Sequence, residues 1–344
     1  MMKKTAIALG IAAMTFGAQA AEWMVTPDHK FEVNADVGVC FQNLTGSTTG
    51  VITSTIHGCG NNQIQMRSVK TLESGVKLIG QIEVDFDPLV DNDFVKADDM
   101  RVGFDVPVWG KLVAGQFDSF YEDNLSEALG FWGMGDVAAY TDEPLSIVAG
   151  AKSRGAVKSK ALEYYNKYEN FELAVTLNAG YQDTNMYNPM WGVGTSVGYK
   201  LGDLQMYFGS VVLPAYYSDT VYVEQSATVA ATMYRANPYT NASSFTANYT
   251  MGNTKVAGLY SQTQTLAGAI YNYGGFSVEQ KIDAWKVGFT MQNVNYGGAA
   301  QYSQYSAGAN YTFVKNARVF LETKSLGVAN GYGNALEIGM KYTF

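Results

Sequence analysis

The chain has 344 residues, a formal net charge of −8 and a mean hydropathy of −0.08, with 36 Gly, 24 Tyr and 17 Phe but only 7 Pro. A net negative chain of this kind excludes nucleic acid as a partner on electrostatic grounds. The glycine- and aromatic-rich mixture suits many strands rather than helices, and beyond residue 20 no apolar run reaches the 18 residues a membrane-spanning helix requires.

Residues 1–20 read as an export signal. Lys3 and Lys4 form a positive start, Thr5 to Gly17 is a short apolar stretch, and Ala18-Gln19-Ala20 is a small-residue cleavage site. The expected mature chain starts at Ala21 as one domain, residues 21–344. Removing two lysines and no acids takes the formal charge from −8 to −10. Two cysteines in an exported chain, Cys40 and Cys59, point to one disulfide. It would staple the base of the first loop and contribute about 3 kcal/mol by chain entropy.

Period-two alternation then recurs along the chain. In Phe31–Phe41, Phe31, Val33, Val37 and Val39 oppose Glu32, Asn34 and Asp36. In Val76–Phe86, Leu78, Ile82 and Val84 oppose Lys77, Gln81, Glu83 and Asp85. Met100–Val106 sets Val102 and Phe104 against Arg101 and Asp105, and Phe171–Tyr181 sets Leu173, Val175 and Leu177 against Glu172, Thr176 and Asn178. The same pattern holds at Trp285–Gln292 and Arg318–Lys324. It is strictest at Ala335–Phe344, where Leu336, Ile338, Met340, Tyr342 and Phe344 oppose Glu337, Gly339, Lys341 and Thr343. Every charged residue of these seven segments falls on the polar parity. A lipid face demands this, since a midplane Lys or Arg there costs about 2–4 kcal/mol.

Weaker segments near 61–72, 111–117, 152–165, 192–201, 204–213, 243–251, 254–262, 275–282 and 302–313 bring the total to sixteen strands. An even count returns the chain to its starting side, as an antiparallel barrel requires. Short connections (73–75, 107–110, 168–170, 202–203, 252–253, 314–316) alternate with long ones (42–60, 87–98, 118–151, 182–191, 214–242). The expected fold is all-β: a transmembrane antiparallel barrel of sixteen strands with short periplasmic turns and long extracellular loops.

With these features the chain resembles the Gram-negative general diffusion porins. The resemblance spans the mature length. It is clearest at Leu78–Phe86, at Arg101-Val102-Gly103-Phe104, at Ala114-Gly115-Gln116 followed by a long loop, and at the terminal Tyr342-Thr343-Phe344. It implies a homotrimer in outer-membrane lipid and lipopolysaccharide that carries ions and small hydrophilic solutes. Tyr342 and Phe344 would be the signal read by the barrel-insertion machinery. It also implies that the third loop, Asp118–Ala151, folds into the lumen as a constriction, presenting Asp118, Glu122, Asp123, Glu127 and Asp136. The facing basic wall would be Arg101, Arg154 and Lys158, with Arg67 or Lys70 as a further member. Acids facing bases across a narrow gap make a transverse field, and an excess of acid favours cations. Two departures from the family pattern stand out: Ala35 replaces its first-strand lysine, and the loop carries Phe131-Trp132-Gly133-Met134-Gly135-Asp136 in place of a proline-glutamate segment.

Two other readings of a porin-like chain are an oligosaccharide-selective channel, which calls for lumen aromatics, and an adhesin or phage receptor using loops such as Pro214–Ala242. An enzyme is not expected. The two histidines, His29 and His57, form no catalytic constellation with a nucleophile, and no cofactor or metal site is expected.

Overall fold

The computed structural model describes residues 21–46, 52–58, 62–86, 95–117, 119–121, 124–125, 160–179, 191–212, 222–223, 233–234, 239–265, 270–296, 300–325 and 332–343. Its strands in chain order are β1 (Ala21–Thr26), β2 (His29–Gly46), β3 (Ile52–Gly58), β4 (Gln63–Thr71), β5 (Lys77–Phe86), β6 (Val95–Val106) and β7 (Gly110–Gln116). They continue as β8 (Lys160–Tyr168), β9 (Phe171–Ala179), β10 (Trp191–Leu201), β11 (Leu204–Val212), β12 (Tyr222–Val223), β13 (Met233–Tyr234) and β14 (Tyr239–Met251). The last are β15 (Thr254–Thr265), β16 (Ile270–Ile282), β17 (Trp285–Tyr296), β18 (Ala300–Val314), β19 (Ala317–Ser325) and β20 (Tyr332–Thr343). No helix among the described residues is long and apolar enough to cross a membrane, which leaves crossing by strands open.

The barrel strands pair antiparallel in sequence, with β2 also pairing β4 and β11 pairing β14, and β2 pairs with β20, so the sheet closes on itself. The barrel has sixteen strand positions because two of them are shared. Along one edge of β2, β4 covers His29–Asp36 and β3 covers Val39–Thr45. Along the other edge, β1 covers His29–Val33 and β20 covers Asp36–Gly46. The small β12–β13 hairpin stands apart from the barrel sheet.

The expected strands are present, with differences at their ends. The β1 hairpin precedes the expected first strand, and β3 lies inside the expected first long loop. Its Thr- and Ser-rich sequence reads as loop, but its backbone finds partners on the upper half of β2. β6 starts at Val95 rather than Met100; β8 spans Lys160–Tyr168, and 152–159 of the expected strand lie outside the described residues. The two-residue turns at Glu169, Gly202, Gly252 and Asp283 hold their first residue at positive φ, the geometry that reverses a twisted hairpin.

Burial is inverted relative to a water-soluble fold. On β20, Leu336, Ile338 and Met340 are exposed while Ala335 and Glu337 are buried; on β19, Val319 and Leu321 are exposed while Glu322 and Lys324 are buried. The same holds for exposed Met100, Val102 and Phe104 against buried Asp99, and for exposed Leu78 and Ile82 against buried Gln81 and Glu83. Apolar side chains thus form the outer belt, and the charged ones point inward. Exposed aromatics collect near the short turns, among them Trp109, Tyr168, Tyr199, Tyr249 and Trp285, which forms the girdle expected at a membrane interface.

Candidate functional site: the lumen wall and the root of the third loop

The parity that sends Leu78 and Met100 outward sends Gln81, Glu83, Asp99 and Arg101 into the lumen, where register lines them up. Glu32 faces Arg67, Arg67 faces Gln81, Gln81 faces Arg101, and Arg101 faces Gly115 on five neighbouring strands. This row lies four or five residues above the short turns, about 15 Å along each strand and near mid-height of the barrel. Gly115 has φ +151°, and a Cβ there would fall 2.0 Å from the Met100 carbonyl oxygen, so only glycine fits opposite Arg101.

The charges of this wall are paired. Arg101 Nη2 donates to Gln81 Oε1 at 3.0 Å and lies 3.8 Å from Asp99 Oδ2. Its guanidinium also stands 5.8 Å from the centre of the Phe117 ring, within cation–π range. Gln81 Nε2 donates to Asp99 Oδ2, Gln65 Nε2 donates to Glu83 Oε2 at 2.7 Å, and Arg67 Nη1 lies 3.6 Å from Glu32 Oε2. Lys30 bridges Glu22 and Glu32. On the neighbouring wall Lys341 pairs with Asp36 at 3.0 Å, and Gln42 donates to Glu337 at 3.1 Å.

Among the described residues, the inward acids of β2, β4, β5, β6 and β7 are Glu32, Asp36, Glu83, Asp85, Asp99 and Asp105, and the inward bases are Lys30, Arg67, Lys77, Arg101 and Lys111. The wall thus carries both signs in near balance, where the family resemblance leads one to expect a basic one. Arg67 and Arg101 both reach the lumen. Lys70 does not: it stands three residues from Arg67, on the outward parity of Ile64 and Met66. Three is an odd offset in a period-two strand, so only one of the two can face inward.

The third loop starts by folding into the lumen. Phe117 and Leu125 are fully buried and Tyr121 nearly so. The Phe120 backbone N–H donates to Glu163 on β8 at 2.9 Å, and Thr176 Oγ1 on β9 donates to the same carboxylate oxygen at 2.9 Å. The Tyr121 hydroxyl bonds Ser244 Oγ at 2.8 Å, and Thr246 Oγ1 donates to the Asn124 carbonyl at 2.9 Å, both on β14. Phe120 packs on Tyr165 and Tyr207, and Tyr121 and Leu125 pack on Val211 and Ala242. Gly209 makes this close approach possible, since a Cβ there would meet Leu125 Cδ1 at 2.4 Å and Tyr121 Cδ2 at 2.5 Å. Burial also pushes the Tyr121 phenol well above its ordinary range, so it stays a neutral hydrogen-bonding group.

Beyond Glu163, the loop root lies on hydroxyls and small side chains of β11 and β14, while Phe117 at its start stands against Arg101. Asp118, Glu122, Asp123, Glu127 and Asp136 lie outside the described residues, as do Arg154, Lys158, Cys59 and Phe344. Cys40 is disulfide-bonded. Tyr342 sits half-buried on β20, opposite Val37 and Ala317. Glu163, Tyr121, Gly209 and Ser244 were not anticipated from the sequence. The one available signal was Glu163 itself, an acid between the outward-facing Leu162 and Tyr164.

A family model described as Gram-negative porin matches residues 5–327. Among solved structures, the anion-selective porin from Comamonas acidovorans superposes with a TM-score of 0.70 at 12% identity, covering 92% of this chain and 100% of that one. OmpF of Salmonella typhi, in a complex with daunomycin, gives 0.68 at 12% identity, covering 94% and 100%. OmpT, an outer membrane protein of Vibrio cholerae, gives 0.67 at 16% identity, covering 94% and 100%. At such identities the structures share the fold. A search of curated proteins by sequence found no match. A closed sixteen-position barrel, apolar outside and charged within, matched over nearly its whole length by the family model, is an outer-membrane diffusion channel: the chain belongs to the Gram-negative porins.

Proposed function

We propose that the chain is a cation-preferring general porin through which ions and small hydrophilic solutes diffuse passively, with no catalytic activity. The observation that supports this best is the pairing on the wall that carries Arg67 and Arg101: each guanidinium lies beside an acid of its own wall, which offsets its positive charge in the lumen. The acids of the sequence 118–151, Asp118, Glu122, Asp123, Glu127 and Asp136 among them, add negative charge. Arg154 and Lys158 are the remaining candidates for the basic side. Selectivity belongs to side chains rather than to the fold, since one superposable barrel carries the description anion-selective.

The assembled form we propose is a homotrimer. A trimer form is described for the Vibrio cholerae OmpT, which superposes at a TM-score of 0.66 with 17% identity over 92% of this chain and 99% of that one. Residues 1–20 act as a cleaved signal, Cys40 pairs with Cys59, Tyr342 and Phe344 present the insertion signal, and lipopolysaccharide surrounds the outer rim. The deciding experiment is reconstitution in a planar bilayer under a potassium chloride gradient. Conductance in three equal steps, with a reversal potential on the potassium side, is expected; a reversal potential on the chloride side refutes the cation preference. Neutralising Glu127 and Asp136 should move that potential toward zero.

A further inference from the structure

The lumen face of β17 and β18 carries buried polar atoms that the channel wall leaves unsatisfied. Gln292 is 3% exposed, Ser306 4% and Asn310 1%. Gln292 Nε2 and Oε1, Ser306 Oγ and Asn310 Oδ1 have no hydrogen-bond partner. A buried polar group left unpaired costs about 1–3 kcal/mol, and native walls rarely leave several side by side.

Register places these groups around a shallow floor. Gly288 and Gly308 pair directly, with Thr290 opposite Ser306 one inward step above them and Lys286 opposite Asn310 one step below. Gln292 stands two residues above Thr290. Glu322 borders the floor on β19, opposite Gly308, and a Cβ on Gly308 would fall 2.8 Å from its Cγ. From Gln292 to Lys286 the track runs about 20 Å along β17. Its unsatisfied groups are neutral, and together they offer both donors and acceptors. No group of three or more metal-ligating side chains forms among the described residues, which leaves a polyol a better chemical match than a metal ion.

We propose that this track is a binding subsite for an uncharged, hydroxyl-rich solute of the oligosaccharide class, held by hydrogen bonds. Pyranose hydroxyls both donate and accept, which is what the Gln292 amide, Ser306 and Asn310 require. The glycine floor gives the ring backbone-close access. One aromatic borders the track, Phe320 on β19, on the lumen parity opposite Asn310 and 3% exposed, while Phe120, Tyr121, Tyr165 and Tyr207 are gathered at the root of the third loop. The subsite rests on the lumen being an open path for solutes, as proposed above.

The test is single-channel recording of the wild-type trimer with maltotriose, and separately with a polyethylene glycol of matched hydrodynamic size, which accepts hydrogen bonds but barely donates them. The expected result is resolved current interruptions with maltotriose only. Gln292→Leu with Ser306→Ala should lower the maltotriose affinity about tenfold, the loss of two ordinary hydrogen bonds, at unchanged ion conductance. Gly308→Ala, which fills the floor, should do the same by another route. Conducting channels without interruptions by maltotriose overturn the subsite and leave the porin reading standing. Equal affinity in both variants, in protein whose folded form is verified by heat-modifiable mobility, also overturns it. Absence of any conductance would remove both readings.

Discussion

The carboxylate of Glu163 accepts the backbone N–H of Phe120 at 2.9 Å, joining the eighth strand to the first residues of a loop 43 positions earlier in the chain. The contact fixes the direction in which the third loop leaves the wall. Glu163→Ala leaves that N–H unpaired in a buried site, at a cost of about 1.5–3 kcal/mol for a bond to a charged group. Larger and noisier open-channel currents are expected, with a smaller effect for Glu163→Gln, which keeps an acceptor. Recordings indistinguishable from wild type for Glu163→Ala would take this anchor out of the account.

Gly209 tests the same root from the opposite side. Gly209→Ala places a methyl within 2.8 Å of Leu125, Tyr121 and Ser196, and overpacking of this kind costs about 1–3 kcal/mol. The strand pairing around it involves backbone alone and should survive. The barrel should keep its far-ultraviolet spectrum while conductance changes and the heat-modification temperature falls. A variant unchanged in both would show that the loop root does not press on β11.

Wall charge governs the next expectation. Asp99→Asn with Glu83→Gln removes two inward negative charges and should lower the cation-to-anion permeability ratio. Arg101→Ala should raise that ratio and increase conductance, because it deletes both a positive charge and a bulky side chain from the mid-height row. Reversal potentials in a salt gradient read both outcomes. Identical potentials in the three proteins would mean that the wall does not set selectivity.

The outer face makes a thermodynamic prediction. Ile338→Arg puts a cation on the lipid side of β20, and near the midplane that costs about 2–4 kcal/mol. Ile338→Ala removes the same side chain without adding a charge and should be free of that lipid penalty. Urea unfolding in lipid vesicles compares them; equal destabilisation by Ile338→Arg and Ile338→Ala would contradict the assigned parity.

Strand existence and facing were readable in the sequence because side-chain direction has period two and lipid tolerates no charge. That signal weakens where a strand rises beyond the hydrocarbon. β3, with Thr53, Ser54 and Thr55, and the Val95–Asp99 start of β6 carry polar residues on both parities, so their membership depends on backbone pairing rather than composition. Arg101 was legible as a lumen residue by the same parity; between Arg67 and Lys70 the sequence left the choice open, and register with β2 and β5 puts Arg67 inward. The loop root was not legible. Tyr121 and Ser244 are separated by 123 positions, and nothing local to either one marks the partner. Gly209 likewise looks like any small residue of a strand until Leu125 and Tyr121 are seen against it.

The claim beneath all of this is that the barrel is apolar outside and wet inside. A nitroxide scan of 335 to 341 on β20 in lipid vesicles tests it most directly, using molecular oxygen as the lipid-phase relaxation agent and a nickel chelate as the aqueous one. Labels at 336, 338 and 340 should respond to oxygen, and those at 335, 337, 339 and 341 to the chelate. The opposite phase of that alternation, or no alternation, would contradict the account.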